Sequence, residues 1–460
     1  MSFCGHTAHI LTGQFRGSQN SQADLFWLNG GFRGNLLRHM VRSLRDRRRV
    51  FRTQRPPSVV VADSAYEFIP PHHGNLWPRV LNILTPHFLK TRYGVTQVEV
   101  RGEETLRSLQ QEGHSILLTP NHSRMADPVV LLQMARRLKQ SLFIMASSHL
   151  FRGNRVMSFT MRRVGAFSVY REGVDRKAVQ TAIEILTHGK RPLVIFPEGA
   201  LSQANDHLNA LMDGVSLIAR TAQRRLHADS DHSARRIVVL PVGIKYLFQG
   251  DVRAAVSPIL SEIEERLLWG AQKDRPLMDR VARVGSALLS LKEIEYLGRP
   301  QSGSIEDRQD RLIDGVLRPI EHTWMRTTSE TVIERVRELR RAIIPEMIDG
   351  DLPKQELDRR WKQLNDLELA QAISLFPPEY VASRPTVDRI LETVDRFSEN
   401  LTGKEIIHRP LHAVVQIGKP IDIESRRTRD ATGDTLIRQI ADQLRGILED
   451  LAMESQLYEP

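Results

Sequence analysis

Between Val95 and Gln249, short apolar runs alternate with segments of helical period, and this alternation constrains the fold more than any other feature of the chain. The runs are VEV near Val98, SILL, SLFIM, SVY, LVIF and VVLPV; each is too short for a helix and is bounded by turn or polar residues. DPVVLLQMARRL and KAVQTAIEIL stand between them, with apolar residues at helical spacing. Strand, helix and strand in that order predict an α/β fold with a mostly parallel sheet flanked by helices.

The pattern changes after Tyr246. LSEIEERLLWG, SETVIERVRELRRAIIPEMI, KQELDRRWKQLNDLELAQAISLF and TVDRILETVDRF are long, charge-laced and helical, and their Glu and Arg spacing reads as solvated faces. Strand character returns in LHAVVQIGKPIDI, followed by the amphipathic DTLIRQIADQLRGILEDL. The expected organisation is a basic extension over residues 1–60, a core over 76–249 and 410–452, and a large helical insertion over 250–409. VLNILTPHFLKTRYG, ahead of the first strand, reads as a core helix. No internal repeat, Walker loop, dinucleotide glycine fingerprint or metal-ligand cluster is visible, and His72 and His73, beside prolines, read as a loop.

Cys4 is the only cysteine, which excludes an internal disulfide and a Cys-based metal site. No basic start followed by an apolar signal core is visible, and no apolar run reaches the roughly 20 residues that span a bilayer. The expectation is a cytoplasmic protein that meets lipid peripherally, at the inner face of the membrane. Of the net charge of +10, +8 lies in the first 60 residues, where ten arginines face Asp24 and Asp46. In GNLLRHMVRSLRDRRRVFR, the residues Leu37, Met40, Val41, Leu44 and Phe51 fall at helical spacing among arginines. That reads as a basic amphipathic helix on an anionic membrane, as a disordered tail, or as sequence upstream of a true start at Met40. Aromatic interleaving and nucleic-acid modules are missing, so no nucleic-acid partner is expected.

The chemistry-bearing pair is His122 and Asp127, in NHSRMADP just after the strand SILLTP. A carboxylate five residues on can accept one ring N–H, fix the tautomer and leave the other nitrogen free to take a proton. No Gly-x-Ser-x-Gly elbow accompanies the pair, so covalent catalysis lacks an obvious nucleophile.

Three further blocks follow in order: GAFSVYR (Gly165, Phe167, Arg171), VIFPEG (Phe196, Pro197, Glu198, Gly199) and VVLPVGIKY (Pro241). With Asn121 and His122 heading the first, the four blocks resemble the glycerolipid acyltransferase family, whose motifs are Asn-His-x4-Asp, a glycine-led block ending in arginine, and Phe-Pro-Glu-Gly. The resemblance covers residues 95–249 and, through Gly418 and Pro420, 411–451. It implies acyl transfer from acyl-CoA or acyl carrier protein, as co-substrate, to a lysophospholipid, lysophosphatidic acid by default. Glycerol 3-phosphate or another lysophospholipid are the alternatives, and a non-catalytic lipid-binding scaffold is the alternative from another class. It implies no metal and no cofactor. His122 is then the base, oriented by Asp127, and Arg171 grips the acceptor phosphate. Glu198 and Gly199 order the acceptor site, although Pro-Glu-Gly forms an ordinary strand-to-helix turn equally well. The family's third block usually continues Thr-Arg-Ser; this chain has Ala200 and Leu201, so one cation of the phosphate clamp is missing. Lys245 either replaces that charge or is solvated.

Overall fold

A computed structural model describes residues 65–459 apart from 153–154, 229–234, 326–330, 404, 425–428 and 431–432. The basic extension and its amphipathic stretch lie outside the described residues. An eight-stranded sheet is built from β1 (Val95–Arg101), β2 (Ser115–Pro120), β3 (Phe143–Ser147), β4 (Ala166–Val169), β5 (Leu193–Val194), β6 (Ile237–Phe248), β7 (Leu411–Ile417) and β8 (Ile421–Asp422). The order is β1-β7-β6-β2-β5-β3-β4, with β8 also on β6. Neighbours are parallel except that β7 and β8 run antiparallel to β6. β2 is buried along its whole length between β5 and β6, as its unbroken apolar run requires of a central parallel strand. Because β2, β5, β3, β4 and β6 point the same way, the loops after them open on one edge, where α/β sheets place their ligands.

Helices α1 (Leu76–Leu81) and α2 (Thr85–Tyr93) precede the sheet. The crossovers are α3 (Glu103–Gln111), α4 (Asp127–Arg137), α5 (Arg155–Val164), α6 (Arg176–His188) and α7 (Gly214–Ala228). Then come α8 (Val252–Arg266), α9 (Leu277–Leu297), α10 (Ile305–Thr323), α11 (Val332–Ile343), α12 (Lys354–Ser374) and α13 (Val387–Thr402), and the chain ends on α14 (Thr435–Ala452). β7 lies inside the sheet, between β1 and β6, with Leu411, Ala413, Val415 and Ile417 buried.

The helices between β6 and β7 do not form one separate cap. Val252, Val256, Leu260 and Ile263 of α8, Val281 and Val284 of α9, and Ile390, Leu391 and Val394 of α13 share a core with the sheet. Helices α10, α11 and α12 close a second core around Leu312, Leu317, Leu339 and Leu367.

Solvated faces were expected in this stretch, yet its charges include a buried, recurring latch. Arg280, in the first turn of α9, grips Glu264 of α8 with bonds of 2.9 and 2.9 Å. Arg308 of α10 grips Glu293 of α9 at 2.8 and 2.9 Å, and Arg335 of α11 grips Glu321 of α10 at 2.7 and 3.0 Å. The sequences LMDR, IEDR and VIER, each following the N-cap residue (Pro276, Ser304, Thr331), carry the arginines, so the same pairing recurs at three successive helix junctions. It is defined by one arginine and one glutamate per helix junction, too sparse to register as self-similarity. The Arg308 fork holds the Glu293 carboxyl below the usual carboxylate range.

Removing one partner of such a pair leaves the other charge buried and uncompensated. Glu293→Ala is therefore expected to lower stability by about 3–5 kcal/mol, and Glu293→Leu with Arg308→Leu by less than that. Urea denaturation checks this; a single variant as stable as the parent would show that the latch carries nothing.

Candidate active site

His122 follows β2 directly, and Asp127 opens α4, so the short loop between them folds the imidazole back onto the carboxylate. His122 Nδ1 lies 2.9 Å from Asp127 Oδ2. The same oxygen accepts the backbone N–H of Ser123 at 2.8 Å and of Arg124 at 3.0 Å, and Oδ1 accepts the Tyr246 hydroxyl at 2.6 Å. Asp127 is wholly buried, whereas the His122 side chain is 19% exposed. An ionised carboxylate only accepts, so Nδ1 is the donor and Nε2 carries the free lone pair. The imidazole stacks on Phe196 with centroids 4.1 Å apart, which fixes the ring plane. The site thus holds an oriented imidazole able to take a proton from a bound hydroxyl.

The surrounding motif residues divide into those that hold this loop and those that hold the sheet. Asn121 donates to Ile244 O at 3.0 Å and accepts from Ile244 N at 2.7 Å, pinning the loop to β6. Gly199 adopts φ +65° in a turn closed by its N–H on Phe196 O, and Pro197 O accepts Met212 N at 2.8 Å. Gly165 is at φ +107°, and an added Cβ there would lie 2.3 Å from Leu142 O, so the turn into β4 admits only glycine. Phe167 is core, and Pro241 lies in β6 with its carbonyl accepting Gly418 N.

Glu198 was expected at the acceptor site, but both its oxygens are committed inside the protein. Oε1 accepts the His122 backbone N–H at 2.7 Å, and Oε2 accepts Asn209 N and Nδ2, both at 3.0 Å. It is buried, and burial pushes its carboxyl up. A carboxyl so placed positions the backbone of the His122 loop.

Lys245 is neither solvated nor a spare phosphate ligand. Its side chain is 1% exposed and is ion-paired with Asp206, with Asp388 of α13 at 3.7 Å. Arg389 of α13 binds the other oxygen of Asp206 at 2.8 Å. Beside this network, Arg124 of the His122 loop pairs with Glu392 of α13 at 3.1 Å; Glu392 also accepts the Tyr380 hydroxyl at 2.7 Å and Asn205 N at 3.2 Å. Desolvation pushes the Glu392 carboxyl up to about 6. Among the residues missed by sequence reasoning, Tyr246 had a signal, since a tyrosine on a buried aliphatic strand needs a partner for its hydroxyl. Glu392 had none, because its partner lies far away in the sequence.

Arg171 follows β4 on the same edge of the sheet as His122, but three strands along. Burial pushes its guanidinium down, and Glu172 and Glu368 lie in its field. It forms no hydrogen bond or ion pair with any described residue.

Residues 97–245 match the profile of the family described as Acyltransferase, an interval that contains His122, Asp127, Arg171 and Glu198. The chain is also similar to a 1-acyl-sn-glycerol-3-phosphate acyltransferase of Streptococcus pneumoniae (strain ATCC BAA-255 / R6), with 34% identity over 116 residues. That stretch covers 25% of this chain and 40% of the relative's length.

Tyr246→Phe keeps the ring and removes the donor to Asp127 Oδ1, leaving that buried oxygen without a partner. The expected loss of stability is about 1–3 kcal/mol. Chemical denaturation measures it, and a variant within experimental error of the parent would mean that the hydroxyl is dispensable.

Proposed function

We propose, from the match of residues 97–245 to the Acyltransferase family model, that the chain is an O-acyltransferase. In this reading it moves a fatty acyl chain from the thioester of acyl-CoA or acyl carrier protein to the free hydroxyl of lysophosphatidic acid. The observation that carries it is the buried Asp127 holding the partly exposed His122 by Nδ1, with Nε2 free. As the acceptor oxygen attacks the thioester carbonyl carbon, His122 Nε2 takes the hydroxyl proton. The tetrahedral adduct then expels the thiolate, the new ester C–O bond remains, and the imidazolium returns the proton to the sulfur. A thioester leaving group departs readily, so direct transfer without an acyl-enzyme suffices. Asp127 positions the imidazole, and Glu198 positions the backbone that carries it. Arg171 binds the acceptor phosphate, and Leu201 keeps glycerol 3-phosphate and other lysophospholipids in contention.

Peripheral attachment to a membrane completes the proposal. No helix among the described residues is long and apolar enough to cross a membrane. An exposed apolar surface is formed instead by Leu76, Trp77, Val80, Ile83 and Leu84 beside Val156 and Phe159 of α5. Trp77 packs edge-on against Phe159 with centroids 5.7 Å apart, and Arg163 lies over both rings. An apolar face with arginines at its rim suits an anionic lipid interface.

Release of free thiol from acyl-CoA, measured with purified protein across a panel of acceptors, tests the chemistry. His122→Ala is expected to lower the rate about 100- to 10,000-fold while the protein stays folded. Transfer at the parent rate by the variant would remove His122 as the base, and no thiol release by the parent with any acceptor would leave the scaffold reading. Cosedimentation with anionic vesicles tests attachment: Trp77→Asp with Ile83→Asp, and separately deletion of residues 1–54, are each expected to weaken binding, more at low salt for the deletion. Equal sedimentation of all three proteins would remove the membrane from the proposal.

A further inference from the structure

The helical stretch between β6 and β7 neutralises its buried arginines with care. Arg280, Arg308 and Arg335 each have a glutamate in a two-pronged grip, and Arg360 pairs with Glu346 and Glu356. Arg340, in the last turn of α11, has no such grip. It is 6% exposed, its Nε meets no acceptor, and among the described residues it forms no hydrogen bond or ion pair. The next residue fixes where it lies: Arg341 Nε donates to Glu172 O at 3.3 Å, so the end of α11 rests on the loop that carries Arg171. Burial, and after it the charge of Arg171, pushes the Arg340 guanidinium down. Glu172 and Glu368 lie in the same field, but neither forms an ion pair with either guanidinium.

We propose that Arg340 is the second cation of the acceptor-phosphate site, acting beside Arg171 where the family's third block has lost its arginine to Leu201. This rests on the acyl-transfer reading above and deepens it. Two like charges drawn away from water, neither with an ion pair among the described residues, cost free energy unless an anion joins them. A phosphate monoester carries close to two negative charges and offers several oxygens, which suits two guanidiniums better than one carboxylate does. Arg396 of α13 is not a competing candidate, because it is already engaged by Gln203 Oε1 at 2.9 Å and by Ala372 O. The replacement cation therefore comes from the helical stretch rather than from the strand-end motifs, and Arg340 sets specificity for a phosphate-bearing acceptor.

The test uses the full chain with Arg340→Gln and Arg340→Lys, in two measurements. In the first, KM is determined for lysophosphatidic acid and for the same monoacylglycerol without phosphate. Arg340→Gln is expected to raise the KM for the phosphate-bearing acceptor about 10- to 100-fold. The KM values for acyl-CoA and for monoacylglycerol should stay at parent levels, and Arg340→Lys should recover part of the loss. An unchanged lysophosphatidic acid KM, or an equal rise for both acceptors, would overturn the proposal. The second measurement is the rise in Tm produced by inorganic phosphate and by glycerol 3-phosphate, which needs no turnover. It is expected in the parent and reduced in Arg340→Gln; an equal rise in both would overturn the site. A parent that binds phosphate through Arg340 yet transfers no acyl chain would instead overturn the enzymatic reading and leave the anion site standing.

Discussion

A lysine ammonium buried to 1% exposure in the middle of the sheet is the constraint from which much of this architecture follows. Such a charge persists only if it is paired, because its desolvation otherwise exceeds what packing returns. Lys245 finds Asp206 in the loop after β5 and Asp388 at the start of α13. Asp388 in turn accepts Phe248 N at 2.7 Å and the Ser455 hydroxyl at 2.7 Å, which ties β6, α13 and the C-terminal end to one another. Helix α13 is therefore an obligate wall of the His122 site, and the adjacent Arg124–Glu392 pair extends the same wall to the His122 loop itself.

The division of labour within the motif blocks follows from burial. His122 keeps some exposure, whereas the buried Asp127 holds its ring, the buried Glu198 holds its backbone N–H, and the buried Asn121 pins the loop to Ile244 of β6. An imidazole held by one nitrogen, stacked on Phe196 and anchored through its own N–H has little rotational freedom left, which is the preorganisation that general-base chemistry requires. Arg171 belongs to a different pattern, a cation at the sheet edge with no ion pair among the described residues.

Much of this was legible from the chain. SILLTP reads as a buried strand because nothing in it wants water, and the five-residue spacing from His122 to Asp127 forces the ring back onto the carboxylate once α4 starts there. The return of a strand in LHAVVQI was equally visible from its apolar residues. What stayed hidden were pairings across long separations. A lysine after VVLPVGI looks solvated until Asp206 and Asp388 are placed around it. Glutamates at 264, 293 and 321 look like surface charges until the arginines that begin the next helices fold back onto them. Nor does Phe-Pro-Glu-Gly by itself say whether its carboxylate faces a ligand or the backbone of His122. In each case the deciding quantity was desolvation, which a linear pattern does not encode.

The Glu–Arg latches have a consequence for how the molecule is made. Each joins a helix to its immediate successor, so every contact needed to neutralise one buried glutamate lies only a short way downstream. As the polypeptide emerges during synthesis, α8 to α11 can close pair by pair in the order of translation, with low contact order. The sheet cannot do this: the gap between β1 and β6 stays open until β7 has been made, after all of those helices. The latched helices can thus form ordered local structure before β7 is made, and β7 then enters a space whose two walls precede it in the chain.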